Sequence, residues 1–190
     1  MKTMKAILGA VLAVGLMSFT NPIKEVKTVD VQKSSIEWLG KKVTGEHSGT
    51  IMLQEGNLEF DGDALVGGNF VMDMSSINVT DLQGEYKGKL EGHLKADDFF
   101  GVATFPTASY TITKVTEKGD NVYEITGDMV IKGISKEYTF ELHMMSGKAH
   151  ISATIDRTDF GIKYKSTSFF DALGDKAIYD DFTLDINLVM

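Results

Sequence analysis

The sequence predicts an all-β, single-domain, mostly antiparallel protein of about eight strands, and three observations predict it. Nineteen glycines and only two prolines punctuate the chain. Between them run short segments in which apolar and polar residues alternate with period two, the pattern of a sheet with one face buried and one in water. Turn-forming residues separate adjacent segments at hairpin spacing. Eight such strands are enough to close a barrel whose interior could hold one ligand.

At the N-terminus, Lys2 and Lys5 precede a charge-free run from Ala6 to Met17. A bilayer span needs roughly 18–20 apolar residues, so this shorter run suits the core of a signal peptide. Ser18 and Thr20 place small residues where a signal peptidase reads, and cleavage before Asn21 is expected. Residues 1–20 are thus expected to be a signal peptide and 21–190 the folded domain, periplasmic or secreted and without an integral membrane span after cleavage. The remaining 170 or so residues can bury a core large enough to need no staples. The absence of cysteine is therefore compatible with export, and it excludes thiolate metal sites and thiol nucleophiles.

The strands follow in order. Ser35–Val43, Gly49–Gln54, Asn57–Asp61 and Asn69–Met74 are expected as shorter strands, separated by Gly45, Gly56 and Gly62. Farther on, Tyr123, Ile125, Met129 and Ile131 share one face, against Glu124, Thr126 and Asp128. Tyr138, Phe140, Leu142 and Met144 oppose Thr139, Glu141 and His143. Ala149, Ile151, Ala153 and Ile155 oppose His150, Ser152 and Thr154, and Phe182, Leu184, Ile186, Leu188 and Met190 oppose Thr183, Asp185 and Asn187. Gly119-Asp120, Gly133 to Ser135, and Ser146-Gly147 supply the hairpin turns.

One segment departs from this pattern. Leu82, Tyr86, Leu90 and Leu94 recur every four residues, which predicts a helix within 81–95 that packs its apolar face on one end of the barrel. Thr80 or Asp81 is the expected N-cap. Gly84, Gly88 and Gly92 form a second stripe, and each mid-helix glycine costs about 1 kcal/mol relative to alanine. Three explanations stand: an irregular helix, one lying very close to another backbone as over a barrel mouth, or an ordinary distorted loop. His93, beside Leu90 and Leu94, is expected to be partly buried, as a hydrogen-bonded core group or near a ligand head.

Composition limits function. The formal charge of −8, or −10 without Lys2 and Lys5, argues against nucleic acid and against anionic membrane as a general partner. Arg157 is the single arginine, so no multi-arginine phosphate clamp is available. No nucleophile elbow, phosphate loop or His-Glu-x-x-His motif occurs. His47, His93, His143 and His150 are scattered; His143 and His150 fall on polar faces of neighbouring strands, with no carboxylate expected to complete a metal site. Asp97-Asp98 and Asp180-Asp181 are adjacent in sequence and so point to opposite sides of an extended chain. Non-enzymatic binding is the expected class, with no metal and no cofactor. On residues alone, the inward aromatic and Met side chains fit a packed core or a ligand cavity, and both remain open.

Several stretches, in order, carry a resemblance. They are Trp38-Leu39-Gly40-Lys41-Lys42 with Gly45-Glu46-His47-Ser48-Gly49, and Gly67-Gly68-Asn69-Phe70-Val71-Met72-Asp73 with Ser75-Ser76-Ile77. Then come Leu90 to Phe100, Phe105-Pro106-Thr107-Ala108-Ser109-Tyr110, Gly127 to Gly133, and Ile155 to Gly161. From about Val29 to the C-terminus the chain resembles the YceI-like family of exported lipid-binding proteins. The resemblance implies an extended, lipocalin-like barrel with a long apolar tunnel for a polyisoprenoid, quinone or similar amphiphile. True lipocalins carry Gly-x-Trp near the first strand; here Gly40 follows Trp38. The expected lipid-binding lining is Trp38, Phe70, Met72, Leu90, His93, Leu94, Phe99, Phe100 and Phe160 from these stretches. Tyr110, Ile112, Tyr138, Phe140, Phe182 and Leu184 join them from the alternating faces. Arg157 and Lys95 are candidate head-group donors, Lys132 and Lys163 weaker ones, and the competing role for Arg157 is an ion pair with Asp156, Asp159 or another acid. A stress-related protein-interaction module, or an enzyme acting on a bound lipid, are the rival readings; a small-molecule lipid is the expected partner, and a homodimer is compatible with the sequence.

Overall fold

Period-two alternation becomes a closed wall. The computed structural model describes residues 24–190; the expected signal peptide lies outside the described residues. Nine strands follow in order: β1 (Lys24–Thr28), β2 (Ser35–Lys42), β3 (Gly45–Asp61), β4 (Ala64–Val79), β5 (Thr107–Gly119), β6 (Val122–Ile131), β7 (Ile134–Met145), β8 (Lys148–Asp156) and β9 (Ile178–Val189). One helix, α1 (Gly84–Lys95), sits between β4 and β5. Every neighbouring pair is antiparallel, and pairing of β2 with β9 and of β3 with β4 closes an eight-stranded lipocalin-like ring of β2 to β9. β1 takes up the edge of β3 beyond the reach of β2, from Lys24 opposite Asp61 to Thr28 opposite Asn57.

The expected strands Gly49–Gln54 and Asn57–Asp61 are one. Gly56 is no turn: it lies inside β3, where the register against β4 slips between Leu53 and Glu55. A Cβ there would stand 2.9 Å from the Phe70 ring, so the glycine lets that aromatic lie against the strand. β5, which carries Tyr110 and Ile112, supplies the stave that the merging of those two segments removes from the expected count. The hairpin turns fall as expected. Asp120 and Asn121 at φ of 52° and 61°, and Lys132 and Gly133 at 52° and 73°, adopt the left-handed pairs that match the twist of two-residue hairpins.

Inward residues do not fill the barrel evenly. At the end bearing the β3–β4, β5–β6 and β7–β8 turns, Leu58, Phe60, Leu65, Ile112, Ile125 and Leu142 form a close-packed plug. Outward positions such as Glu124, Thr126, Thr139, Glu141, Ser152 and Thr154 are polar, the reverse of the apolar outer band of a transmembrane barrel. Among the described residues, no helix is long and apolar enough to cross a membrane.

Helix α1 covers the opposite end but differs in detail from its expectation. Leu82 lies outside it, and Gln83 is the N-cap without a side-chain bond. Tyr86 is 74% exposed, and nothing approaches Gly84, Gly88 or Gly92. The glycine stripe therefore faces open space, and close backbone contact is not its explanation. Leu94 packs against the core as expected, and polar contacts add to it: Glu91 accepts the Val79 amide (2.9 Å) and Lys87 donates to Asn78 Oδ1 (2.7 Å).

Asp81 is a latch and not a cap. Its carboxylate accepts the Ser48 amide (3.0 Å) and meets His47 Nδ1 (2.8 Å), tying the approach to α1 onto β3. Burial alone would raise its pKa, but the His47 and Ser48 hydrogen bonds outweigh this and hold the carboxyl below its ordinary 3.8. A depressed folded value means the latch stabilises the fold above that ordinary pH and loses its effect as pH falls through the folded value. Protection of the Ser48 amide against hydrogen exchange is expected to drop in that acid window, and Asp81→Asn should abolish the dependence. Unchanged protection throughout would show that Asp81 holds nothing.

Candidate functional site

Between the plug and α1 the barrel is hollow. The space open to the centre of a water-sized sphere is about 150 Å³, and the whole space free of atoms, its solvent-open mouth included, is about 1220 Å³. Two features of the wall keep it open. Ala108 and Ala153 are small where neighbouring inward positions are large, and both border the void. Trp38, the largest side chain on the wall, is drawn aside onto Gly49, where a Cβ would stand 2.5 Å from its ring and 2.0 Å from the Asn78 carbonyl oxygen. Only glycine fits there.

Of the residues expected to contact lipid, Trp38, Phe70, Met72, Leu94, Phe99 and Phe100 border the cavity, as do Tyr110, Phe140, Phe182 and Leu184. Three do not. Ile112 belongs to the plug, because β5 runs past the cavity floor before reaching it. Tyr138 is spent on structure: its hydroxyl donates to Asp159 Oδ2 (2.8 Å) and accepts the Asp156 amide (3.1 Å). Phe160, fully buried, stacks on Tyr138 at 5.9 Å and does not border the cavity. Sequence reasoning left Met129, Ile131, Ile151 and Ile155 off the site although it placed them on inward faces, and it missed Ile178 and Tyr179 at the mouth.

Polar groups are few. The Tyr110 hydroxyl is turned into the wall, 3.1 Å from the Ile125 and Tyr138 carbonyl oxygens, and burial, then Asp128 and Glu137, push its pKa well above the ordinary phenol value. Arg157 borders the cavity, but its donors point away. Nε reaches the Tyr179 carbonyl (3.2 Å), Nη1 the Ile162 carbonyl (2.7 Å), and Nη2 both the Ile178 carbonyl (3.1 Å) and Asp180 (3.2 Å). Four of the five guanidinium N–H groups are thereby engaged. The acid partner is Asp180, neither Asp156 nor Asp159. Lys95 does not border the cavity, Lys132 donates to the Asp97 carbonyl (2.6 Å), and Lys163 lies over Phe169.

A side chamber of about 90 Å³ opens between α1 and β2, sharing Trp38, Leu94, Phe99 and Ile178 with the main cavity and adding Leu90 and His93. The His93 ring lies 4.3 Å from Tyr164 and 5.5 Å from Phe99. Its Nε2 is buried and has no hydrogen-bond partner among the described residues, while Nδ1 is 3.8 Å from Asp98. His93 is thus partly buried as expected, yet it is not a hydrogen-bonded core group. His143 and His150 stand directly opposite each other in β7 and β8. Contrary to expectation, each has a carboxylate beside it, Glu141 at 2.6 Å and Asp185 at 3.0 Å, but no three such groups converge among the described residues.

A closed antiparallel barrel with an apolar cavity under a single helix is a binding-type scaffold. The model of the YceI-like domain matches residues 28–190, and the chain belongs to that family. A UPF0312 protein of Shewanella denitrificans is 30% identical over 89 residues, 47% of this chain and 44% of that protein. Protein YceI of Salmonella arizonae is 40% identical over 53 residues, 28% of this chain and 27% of its own. The matched stretches thus span less than half the length of these curated relatives. Among solved structures, Burkholderia cenocepacia BcnA superposes with a TM-score of 0.69 at 18% identity, covering 85% of this chain and 99% of its own. A polyisoprenoid binding domain from Saccharophagus degradans does so with a TM-score of 0.61 at 15% identity, covering 85% and 95%. These likenesses show the shared fold.

Proposed function

We propose that this protein is a non-catalytic carrier of a long-chain amphiphilic lipid, a polyisoprenoid, quinone or similar molecule, in the periplasm or outside the cell. The observation that carries the reading is the apolar void kept in one half of a barrel that is close-packed in the other. Burying each CH₂ of an isoprenoid chain is worth about 0.8 kcal/mol against water, so such a void supplies the driving force for a chain. The polyisoprenoid-binding domain with the same fold supports it. Export rests on Lys2, Lys5 and the apolar run that follows them. With Arg157 engaged, the unpartnered Nε2 of His93 is the group for the ligand's polar end, and a single imidazole nitrogen suits a hydroxyl or carbonyl head.

Native mass spectrometry of the protein purified from its own host should show a stoichiometric lipid that leaves chemically unchanged. Ala153→Phe should abolish its retention. The added ring enters existing space, so the delipidated variant should unfold within about 1 kcal/mol of the parent, against about 1–3 kcal/mol for overpacking a filled core. A variant that still carries lipid at full occupancy would remove the support for the cavity as its site.

A further inference from the structure

Where the cavity opens, the surface changes character. Val43, Phe169, Phe170 and Tyr179 are large apolar side chains that stand 48%, 47%, 50% and 54% exposed. Hydrogen bonds gather them around the mouth. The Val43 amide donates to the Ala177 carbonyl (3.1 Å) and the Ile178 amide to the Lys165 carbonyl (3.0 Å). The Ser168 hydroxyl donates to Asp180 Oδ2 (2.6 Å), between Tyr179 and Asp181, which both border the cavity. The Phe169-Phe170 pair is thereby pinned beside the opening with both rings half in water.

Charge around this patch runs against that of the molecule. Residues 41–43 and 161–181 hold five lysines, Lys41, Lys42, Lys163, Lys165 and Lys176, against four acids, Asp171, Asp175, Asp180 and Asp181, and Asp180 is paired with Arg157, in a chain of formal charge −8. Lys163 Nζ sits 4.4 Å over the Phe169 ring and Lys165 Nζ 5.1 Å over Tyr164, so each ammonium rests on an aromatic face at the edge of the patch. The far end of the barrel carries Asp61, Asp63, Glu117 and Asp120 against Lys118 and Lys148 at or beside its hairpin turns, and so is net acidic. A negatively charged surface would therefore attract the mouth and repel the opposite end, orienting the barrel before contact.

Aromatic rings flanked by lysines are the chemistry of the membrane–water interface. We infer that the mouth docks on a bilayer containing anionic phospholipid, with Phe169 and Phe170 entering the headgroup layer and Lys163, Lys165 and Lys176 facing lipid phosphates. The inference rests on the carrier reading and extends it: a long-chain amphiphile resides in a membrane, and a mouth seated there lets it pass without crossing water. The overall negative charge opposes anionic membranes as a general partner, and the lysines restrict contact to one face.

The test is flotation of the full exported chain with phosphatidylcholine vesicles, with and without phosphatidylglycerol, beside retention of a fluorescent long-chain prenol in vesicle-free solution. The parent should float with the anionic vesicles. Phe169→Ser with Phe170→Ser should lower binding about tenfold, because bound apolar area is lost. Lys163→Gln should lower it about fivefold on anionic vesicles only. Both substitutions are at exposed positions, so prenol retention should not change. The inference falls if the parent floats with neither vesicle or if the Phe double variant floats as well as the parent. It falls equally if the patch proves to bind a second copy, seen as a sedimenting dimer that the Phe variant converts to monomer while nothing floats. A parent that floats but retains no prenol would leave docking standing and overturn the carrier reading instead.

Discussion

Arg157→Ala is expected to lower the unfolding free energy by about 3–5 kcal/mol, because it breaks a buried ion pair by deleting one partner. The side chain is only 3% exposed, and it joins three segments at the mouth that share no sheet pairing at this point. Its donors reach the Ile162 carbonyl on one side and the Ile178 and Tyr179 carbonyls with Asp180 on the other. Truncation leaves those three carbonyls without their donor and Asp180 with the Ser168 hydroxyl but no cation. Burial lowers the guanidinium pKa, with Asp180 and then Asp156 opposing the shift, so the group is held charged by its partners and not by water. Lysine should not rescue it: a point ammonium cannot bridge the two sides as the planar fork does. Denaturant unfolding of delipidated protein measures the loss, and faster amide exchange across 161–178 would locate it. A variant with the parent's unfolding midpoint would show that Arg157 is dispensable to the mouth.

How far the sequence could be read follows from what period two encodes. From Val122 onward each residue's face is set by its parity, and the inward set Tyr123, Ile125, Phe140, Leu142, Ile151 and Ile155 is buried as alternation demands. Parity fails where a strand is irregular. Gly56 reads as a turn, yet β3 passes through it, because a glycine beside an aromatic across the ladder looks in sequence like a glycine at a bend. The four-residue spacing of Leu82, Tyr86, Leu90 and Leu94 locates α1, but helical spacing does not guarantee a buried stripe. Asn78 and Val79 of β4 hold the helix through polar groups, and Tyr86 is left in water.

The site was less legible than the wall for a related reason. Alternation says which side chains point inward and nothing about how deep along the axis the interior is filled. Phe140 and Ile112 carry the same pattern, yet one faces space and the other a plug. The void depends on Ala108 and Ala153, small residues that carry no chemical signal, and on Gly49 receiving Trp38. That Arg157 pairs with an acid was legible in sequence, with Asp156, Asp159 or another acid left open; the partner is Asp180, which the β9 start brings across the mouth.

Depth along the barrel axis also separates two residues on one strand. Leu142 is fully buried in the plug, and Leu142→Ala should cost about 2–5 kcal/mol, since its neighbours can close only part of the hole. Lipid retention should be unchanged, because Leu142 does not border the cavity. Phe140 is two residues earlier on the same face. Its ring meets Tyr110 at 5.2 Å and Tyr138 at 5.8 Å on its packed side and faces the void on the other. A side chain with partners on one side forfeits fewer contacts on truncation. Phe140→Ala should thus fall at or below the low end of the usual loss of about 3–5 kcal/mol, while long-chain prenol retention falls more than stability does. Bound lipid stabilises by mass action, so unfolding must be measured on delipidated protein or the two quantities mix. Suppose instead that Phe140→Ala costs as much as a fully packed phenylalanine and the parent retains no prenol. The interior would then behave as a continuous core, and the hollow half of the barrel would have no lipid to explain it.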